Sequence, residues 1–293
     1  MNISKLQTFL TLTECLNFTE AADLLYCSQP AVSMQIQSLE QELGTALFDR
    51  IGKKLYLTEQ GKLFKPYAEQ VINLLGSAIE HIQQSKDLSH GTLSFGASSF
   101  VGIYLLPRIL GEFNRQFPGI KINMQITSSM HLLNMLESNK IELLIISDQI
   151  PIDEARFQAT TFYQDELVLV MNPGHRLARE QTCSLYDLRD EMMLLKPKKS
   201  ATRSYLESIF SKYDITFVNH MEISNLEAIK QGVIHGLGIS IVSKYAVAQE
   251  IEHGLLTSIP IRETVFQRGI NYVHYKSKHL SPATRQFISM LDF

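Results

Sequence analysis

The stretch from Phe18 to Leu43 constrains the fold more than any other part of the chain. Ala21 and Ala22 are small enough for a second helix to cross close to the first. Ser28 is a good N-cap, because its hydroxyl can accept a hydrogen bond from a free N–H of the next helix. Pro30 falls in the first turn of that helix, where a missing N–H costs nothing. Val32, Ile36, Leu39 and Leu43 recur at i, i+4, i+7 and i+11 and predict one buried helical stripe. The opposite face carries Gln29, Ser33, Met34 and Gln37. Short, uncharged hydrogen-bonding groups there suit base edges in a major groove. The spacing therefore predicts two helices, 20–26 and 29–43, joined by a tight turn.

The neighbouring segments fit that reading. Leu6, Phe9, Leu10 and Thr13 predict a first helix over 3–15, with Leu12 and Leu16 widening its apolar face. Phe48–Arg50 and Lys54–Leu57 can pair across Ile51-Gly52-Lys53 as a short hairpin. Arg50, Lys53 and Lys54 would then lie beside a phosphate backbone. The other reading of Lys53 and Lys54 is a solvated turn. Residues 1–60 hold seven acids against four Lys/Arg, so the head is not basic overall, and its positives cluster away from Glu40 and Glu42. In this region the candidate DNA contacts are Ser28, Gln29, Pro30, Ser33, Met34, Gln37, Arg50, Lys53 and Lys54.

Thr58 can cap a long helix over about 59–87. Gly61, Ala68, Leu75 and Ile82 stand seven apart, and Phe64, Val71 and Ala78 fill the alternate seam. That 3-4 repeat predicts a paired helix, with Phe64, Ala68, Val71, Leu75, Ala78 and Ile82 as dimer contacts. An amphipathic helix lying on its own domain is the alternative. A dimer would present two reading helices to palindromic half-sites. Ser85 to Gly91 is polar and reads as a linker.

From Thr92 the pattern changes to alternating strands and helices, which is α/β order. Strands are expected at 92–97, 120–127, 142–147, 166–171, 192–196, 217–222, 238–242 and 266–275. Helices are expected at 101–117, 129–138, 184–188, 202–213, 225–235, 244–252 and from Pro282 to about 291. In open α/β sheets ligands sit beyond the carboxyl ends of strands, against helix N-termini. Four such junctions are rich in hydroxyls: Ser98-Ser99-Phe100, Thr127-Ser128-Ser129, Ser200-Ala201-Thr202-Arg203 and Ser224-Asn225. Each taken alone is also an ordinary N-cap. Lys196 and Arg203 would favour an anion, whereas Lys198 and Lys199 read as an exposed loop. Ser147 could reach a ligand; Asp148 would oppose an anion and is expected to pair with a base.

Ala21-Ala22, Ser28-Gln29-Pro30-Ala31-Val32-Ser33, Leu39-Glu40, Glu42-Leu43-Gly44, Leu47-Phe48, Arg50, and Leu57-Thr58 with Gly61 together resemble the winged helix-turn-helix of LysR-type transcriptional regulators. The resemblance extends over the whole chain in length and layout. It implies a winged helix-turn-helix at 1–58, a linker and dimerisation helix at 59–90, and an effector-binding domain at 91–293. That domain would be two Rossmann-like lobes, similar to a type II periplasmic binding protein. The chain would cross between them near Thr161-Phe162 and Val265-Phe266, giving lobes 91–161 with 266–293, and 162–265. The resemblance also implies promoter DNA, a small-molecule effector between the lobes, RNA polymerase, and further copies of the chain as a homodimer or homotetramer. Family members often carry an Arg on the reading helix where this chain has Met34 or Gln37, which favours binding through several linked copies.

Other classes find little support. A chain of 293 residues with 45% apolar content suits about two globular domains. Its net charge of −3 does not by itself announce a nucleic-acid binder. Cys15, Cys27 and Cys183 show no disulfide or metal spacing, so a cytoplasmic setting is expected, with Cys27 buried in the helix turn. The N-terminus does not read as a signal peptide, and no membrane span is expected. Metallohydrolase, phosphate-loop and serine-hydrolase motifs are missing, and Gly232, Gly236 and Gly238 follow a helix instead of a strand. The expectation is a regulator with no catalytic residue, metal or cofactor. The rivals are an enzyme or solute-binding module carrying a DNA-binding head, and a constitutive architectural DNA binder.

Overall fold

The computed structural model describes residues 1–52, 54–84 and 88–291. The chain divides into two compact units, residues 1–87 with 134–141, and residues 88–133 with 142–293.

The first unit begins with α1 (Ile3–Cys15), α2 (Phe18–Leu24) and α3 (Gln29–Leu43). Asn17 caps α2, accepting from the Thr19 and Glu20 N–H groups, so that helix starts two residues before its expected first turn. Ser28 caps α3 through the Ala31 N–H, and Gly44, at φ 69°, ends it. Only a residue at ease in the left-handed region closes a helix this way. Strands β1 (Phe48–Ile51) and β2 (Lys54–Leu57) form the hairpin, pairing Phe48 with Leu57 and Ile51 with Lys54. Helix α4 (Glu59–Gln84) follows, and Thr58 accepts from the Gly61 N–H while donating to the Ala46 carbonyl. Gly61 admits no side chain, since a Cβ would lie 2.1 Å from the Leu47 carbonyl oxygen. The core joins Leu6, Phe9, Leu12, Ala21, Ala22, Val32, Ile36, Leu39, Leu47, Phe48 and Ala68.

Three expectations change here. Leu43 is exposed at the last turn of α3 and leaves the buried stripe at Leu39. Cys27 is exposed, because the turn holding it points its side chain outward. Ala68 is only 1% exposed and Phe64 packs edge-on to Phe9 at 5.2 Å, so both serve their own unit before any dimer. The exposed apolar stripe of α4 instead runs through Leu63, Tyr67, Val71, Leu74, Ile79 and Ile82, with Leu75 beside it.

The second unit contains β3 (Gly91–Ala97), a π-helical turn (Val101–Leu105), α5 (Leu106–Gln116), β4 (Ile120–Ile126), the start of α6 (Ser129–Glu137) and β5 (Leu143–Ser147). Then come β6 (Phe157–Met171), 3-10 turns at Arg176–Arg179 and Leu185–Leu188, β7 (Met193–Leu195), α7 (Ala201–Ser211), β8 (His220–Glu222) and α8 (Leu226–Ile234). The chain finishes with β9 (Ser240–Ser243), a 3-10 turn at Tyr245–Val247, α9 (Ala248–Glu252), β10 (Thr257–Ile259), β11 (Phe266–Tyr275) and α10 (Pro282–Ser289).

Strands β4, β3 and β5 are parallel, and β11 joins them antiparallel to β5. Strand β11 pairs along β6 from Phe266–Leu167 to Tyr275–Phe157, and the far part of β6 carries β9 and β10. The register slips between Ile270 and Asn271, opposite Tyr163 and Thr161, leaving Phe162 as the extra residue of a bulge. Strand β6 begins at Phe157, nine residues before the expected strand, because Gln158, Thr160, Thr161 and Gln164 hide its alternation. One apolar cluster gathers β3, β5, α5 and α10 and reaches α8; a second gathers the end of β6 with β7, β9 and α7. Strands β7 and β8 form their own parallel pair, tied to the segment before β9 through Met193 and Ile239.

Candidate functional site

Two surfaces collect the candidate residues, one in each unit. On α3, burying Val32, Ile36 and Leu39 turns Gln29, Pro30, Ser33, Met34 and Gln37 outward, with Met34 70% exposed. Ser28, Arg50 and Lys54 are also exposed; Lys53 lies outside the described residues. The local acids are partly spoken for. Glu40 accepts from the Leu47 and Phe48 N–H groups and so pins the hairpin to α3. Glu42 pairs with Lys5 and the N-terminal ammonium, and the Lys5 hydrogen bond is the first reason its carboxyl is held below the usual range. Tyr26 was not anticipated. It is 97% exposed at φ 53° in the turn before α3.

In the second unit, the ends of β3, β4, β5 and β7 and the starts of α6, α7 and α8 surround a cavity of about 380 Å³. That volume suits a small metabolite. Ser98, Ser99, Phe100, Thr127, Ser128, Ser129, Ser147, Lys196, Ser200, Thr202, Arg203 and Ser224 line it. Asn225 does not. Its side chain accepts from the Glu227 and Ala228 N–H groups and is spent as the cap of α8. Ser200 holds the same position on α7 but makes no capping bond, leaving its hydroxyl for the cavity. Asp148 pairs with no base among the described residues; it accepts the Gly269 N–H at 2.8 Å, where a side chain on residue 269 would clash with it.

The cavity is cationic. Arg203 is 2% exposed, donates from Nε to Glu207 at 2.6 Å and lies over the Phe217 ring. Its Nη1 is buried and has no hydrogen-bond partner among the described residues. A buried N–H left unmatched costs about 1–3 kcal/mol, which a bound acceptor would recover. Lys196 donates to the Ser224 carbonyl, and burial pushes its ammonium below the usual lysine range.

Sequence reasoning missed Arg268, Asp165, Ser240 and Ser243. Arg268, Ser240 and Ser243 line the cavity, and Arg268 is ion-paired to the buried Asp165 at 2.8 Å. Burial raises the Asp165 carboxyl, and the Arg268 charge opposes that rise. Asp165 and Arg268 lie inside β6 and β11, and Ser240 and Ser243 are the two ends of the short β9, so a search confined to the four hydroxyl-rich junctions passes over all of them. No local signal marks Asp165 or Arg268, since Gln164 and Glu166 flank the first and Gln267 precedes the second.

Residues 3–62 match the family model described as bacterial regulatory helix-turn-helix protein, lysR family, and residues 86–292 match LysR substrate binding domain. The RuBisCO operon transcriptional regulator of Allochromatium vinosum is 32% identical over 287 residues, covering 98% of this chain and 94% of that protein. The transcriptional activator CmpR of Synechocystis is 33% identical over 289 residues, covering 99% and 94%. Among solved structures, the Synechocystis CcmR regulatory domain in complex with 2-PG is 28% identical with a TM-score of 0.63, covering 69% of this chain and 96% of that one. CbnR complexed with its target DNA is 22% identical with a TM-score of 0.73, covering 99% of each chain, a likeness of fold alone.

Proposed function

The chain belongs to the LysR family of bacterial transcriptional regulators, and from that premise we propose that it reads promoter DNA through α3 and the hairpin and is switched by a small anionic effector in the 380 Å³ cavity. The family is one of DNA-binding regulators rather than enzymes. In this reading residues 1–58 are the head, 59–90 the dimerisation helix and 91–293 the sensor, with lobes 91–161 plus 266–293, and 162–265. Base contacts come from Gln29, Ser33, Met34 and Gln37, and phosphate contacts from Arg50, Lys53 and Lys54. The stripe Leu63, Tyr67, Val71, Leu74, Ile79 and Ile82 meets a second copy of the chain, and pairs of dimers and RNA polymerase complete the assembly at a cytoplasmic promoter.

The observation that carries the anion is the buried Nη1 of Arg203, unmatched among the described residues, on a residue that lines the cavity together with Ser200, whose hydroxyl makes no capping bond at the start of α7. Lys196 adds a second cation whose charge is disfavoured until an anion arrives. Binding then takes up protons, and affinity falls as pH rises through the lowered lysine pKa. The ligand must bind two arrangements of the sensor unequally to change DNA binding. Thermal melts of the full chain against a panel of small carboxylates, sulfate and phosphate esters test the reading, since a specific ligand raises the midpoint by mass action. A panel that shifts nothing removes the anion.

A further inference from the structure

Three side chains of the cavity wall, Ser243, Arg268 and Thr202, are joined through the buried Asp165 in one hydrogen-bonded line. The Ser243 hydroxyl donates to Asp165 Oδ1 at 2.6 Å. Asp165 Oδ2 accepts from Arg268 Nε at 2.8 Å and is paired with Nη2 at 2.8 Å. Arg268 Nη1 donates to the Thr202 hydroxyl oxygen at 2.8 Å. Asp165, Arg268 and Ser243 are all at least nine-tenths buried.

The polarity of this line is forced. A guanidinium has donors and no acceptor, and an ionised carboxylate has acceptors and no donor. Thr202 must therefore accept from Arg268, which leaves its own proton unspent. Ser243 has given its proton to Asp165, which leaves only lone pairs. Ser240 repeats the pattern, donating to the Leu194 carbonyl at 2.7 Å. All three line the cavity. One side, with Thr202, Arg203 and Lys196, thus offers protons; the other, Ser240 and Ser243 on β9, offers lone pairs. An anion with acceptors alone satisfies the first side and leaves the second unmatched.

We infer that the effector carries an O–H donor beside its anionic group, and that Ser243, with Ser240, selects a hydroxylated anion over the same anion without the hydroxyl. This rests on the anionic reading above and narrows it. Arg268 and Asp165 are positioning residues, since they act through the two hydroxyls whose protons they orient. The two-sided wall gives the cavity a preference that charge alone cannot supply, because each matched pair below carries the same charge.

The test is calorimetric titration of the full chain, at pH 8, with pairs differing by hydroxyls alone: glycerol 3-phosphate against n-propyl phosphate, and glycerate against propionate. At that pH both phosphates are dianions, so neither phosphoryl group brings a proton of its own. The hydroxylated member should bind about tenfold tighter or more. Ser243→Ala should collapse that ratio towards one while n-propyl phosphate keeps its affinity. Thr202→Val should weaken both members alike and preserve the ratio. Equal affinities within both pairs overturn the hydroxyl inference and leave the anion. A wild-type preference unchanged in Ser243→Ala and in Ser240→Ala overturns the assignment to β9. Silence from every pair and from inorganic phosphate and sulfate overturns the anionic reading and this inference with it.

Discussion

Arg203→Met separates a recognition role from a structural one, because the two predict opposite signs. In the free protein Arg203 is nearly buried, with one guanidinium nitrogen unmatched among the described residues. That unmatched donor costs about 1–3 kcal/mol, and methionine removes it. The bond to Glu207, whose side chain is 42% exposed, is worth at most about 1 kcal/mol. The guanidinium over Phe217, 5.2 Å from its centroid, adds roughly 0.5–2 kcal/mol, of which a sulfur–aromatic contact restores about 0.3–1.5. These terms nearly cancel, so the variant should melt within a few degrees of the parent. Loss of a charged hydrogen bond to a bound anion, about 1.5–3 kcal/mol, should weaken binding roughly 10- to 150-fold. The assay is a melting curve of the free chain plus a titration with the anion that most raises the parent's midpoint. A variant that melts far below the parent yet binds that anion as well refutes the reasoning and makes Arg203 a structural residue.

Three further outcomes follow from the geometry. Gln29→Ala or Ser33→Ala should relax discrimination among operator variants while leaving the salt dependence of binding unchanged, measured by fluorescence anisotropy; unchanged discrimination removes that residue from base reading. Gly61→Ala should destabilise the first unit by about 1–3 kcal/mol in a denaturant melt, because its methyl meets the Leu47 carbonyl; an unshifted midpoint would mean the turn has room. With a thiol reagent at pH 8, Cys27 should react quickly and Cys183 hardly at all, since burial pushes the Cys183 thiol up to about 11. Because that thiol's folded pKa is raised, its contribution to stability is present below the ordinary thiol range and is lost as pH rises through about 11. Mapping of the labelled cysteines by mass spectrometry checks the order.

How much of this was legible in the sequence depends on whether the signal was local. Helix α3 was readable to the residue because Ser28, Pro30 and Gly44 are local signals that owe nothing to tertiary contacts. The four hydroxyl-rich junctions were readable for the same reason, and the Ser98, Thr127, Ser200 and Ser224 segments meet around one cavity. Asn225 shows the limit, since a residue able to cap and able to bind reads identically until its partner is known. Two positions of the expected α4 seam, Phe64 and Ala68, turn inward because a heptad count does not say which face α1 covers; α1 takes both, and Leu63 and Tyr67 are left outside. Strand β6 hid its first half because its polar residues answer to β11, about a hundred positions away. The pair Asp165–Arg268 was invisible for that reason too, as neither residue means much without the other.

The central claim is that one part of the chain selects DNA and a cationic cavity in another decides the consequence. Anisotropy of the full-length protein on labelled duplex from upstream of its own gene, against random duplex, with and without the anion found by melting, tests it most directly. The account predicts a site preference that the anion shifts in the parent, and a preference that persists but no longer responds in Arg203→Met. Equal binding to both duplexes, or an undiminished response in the variant, would contradict it.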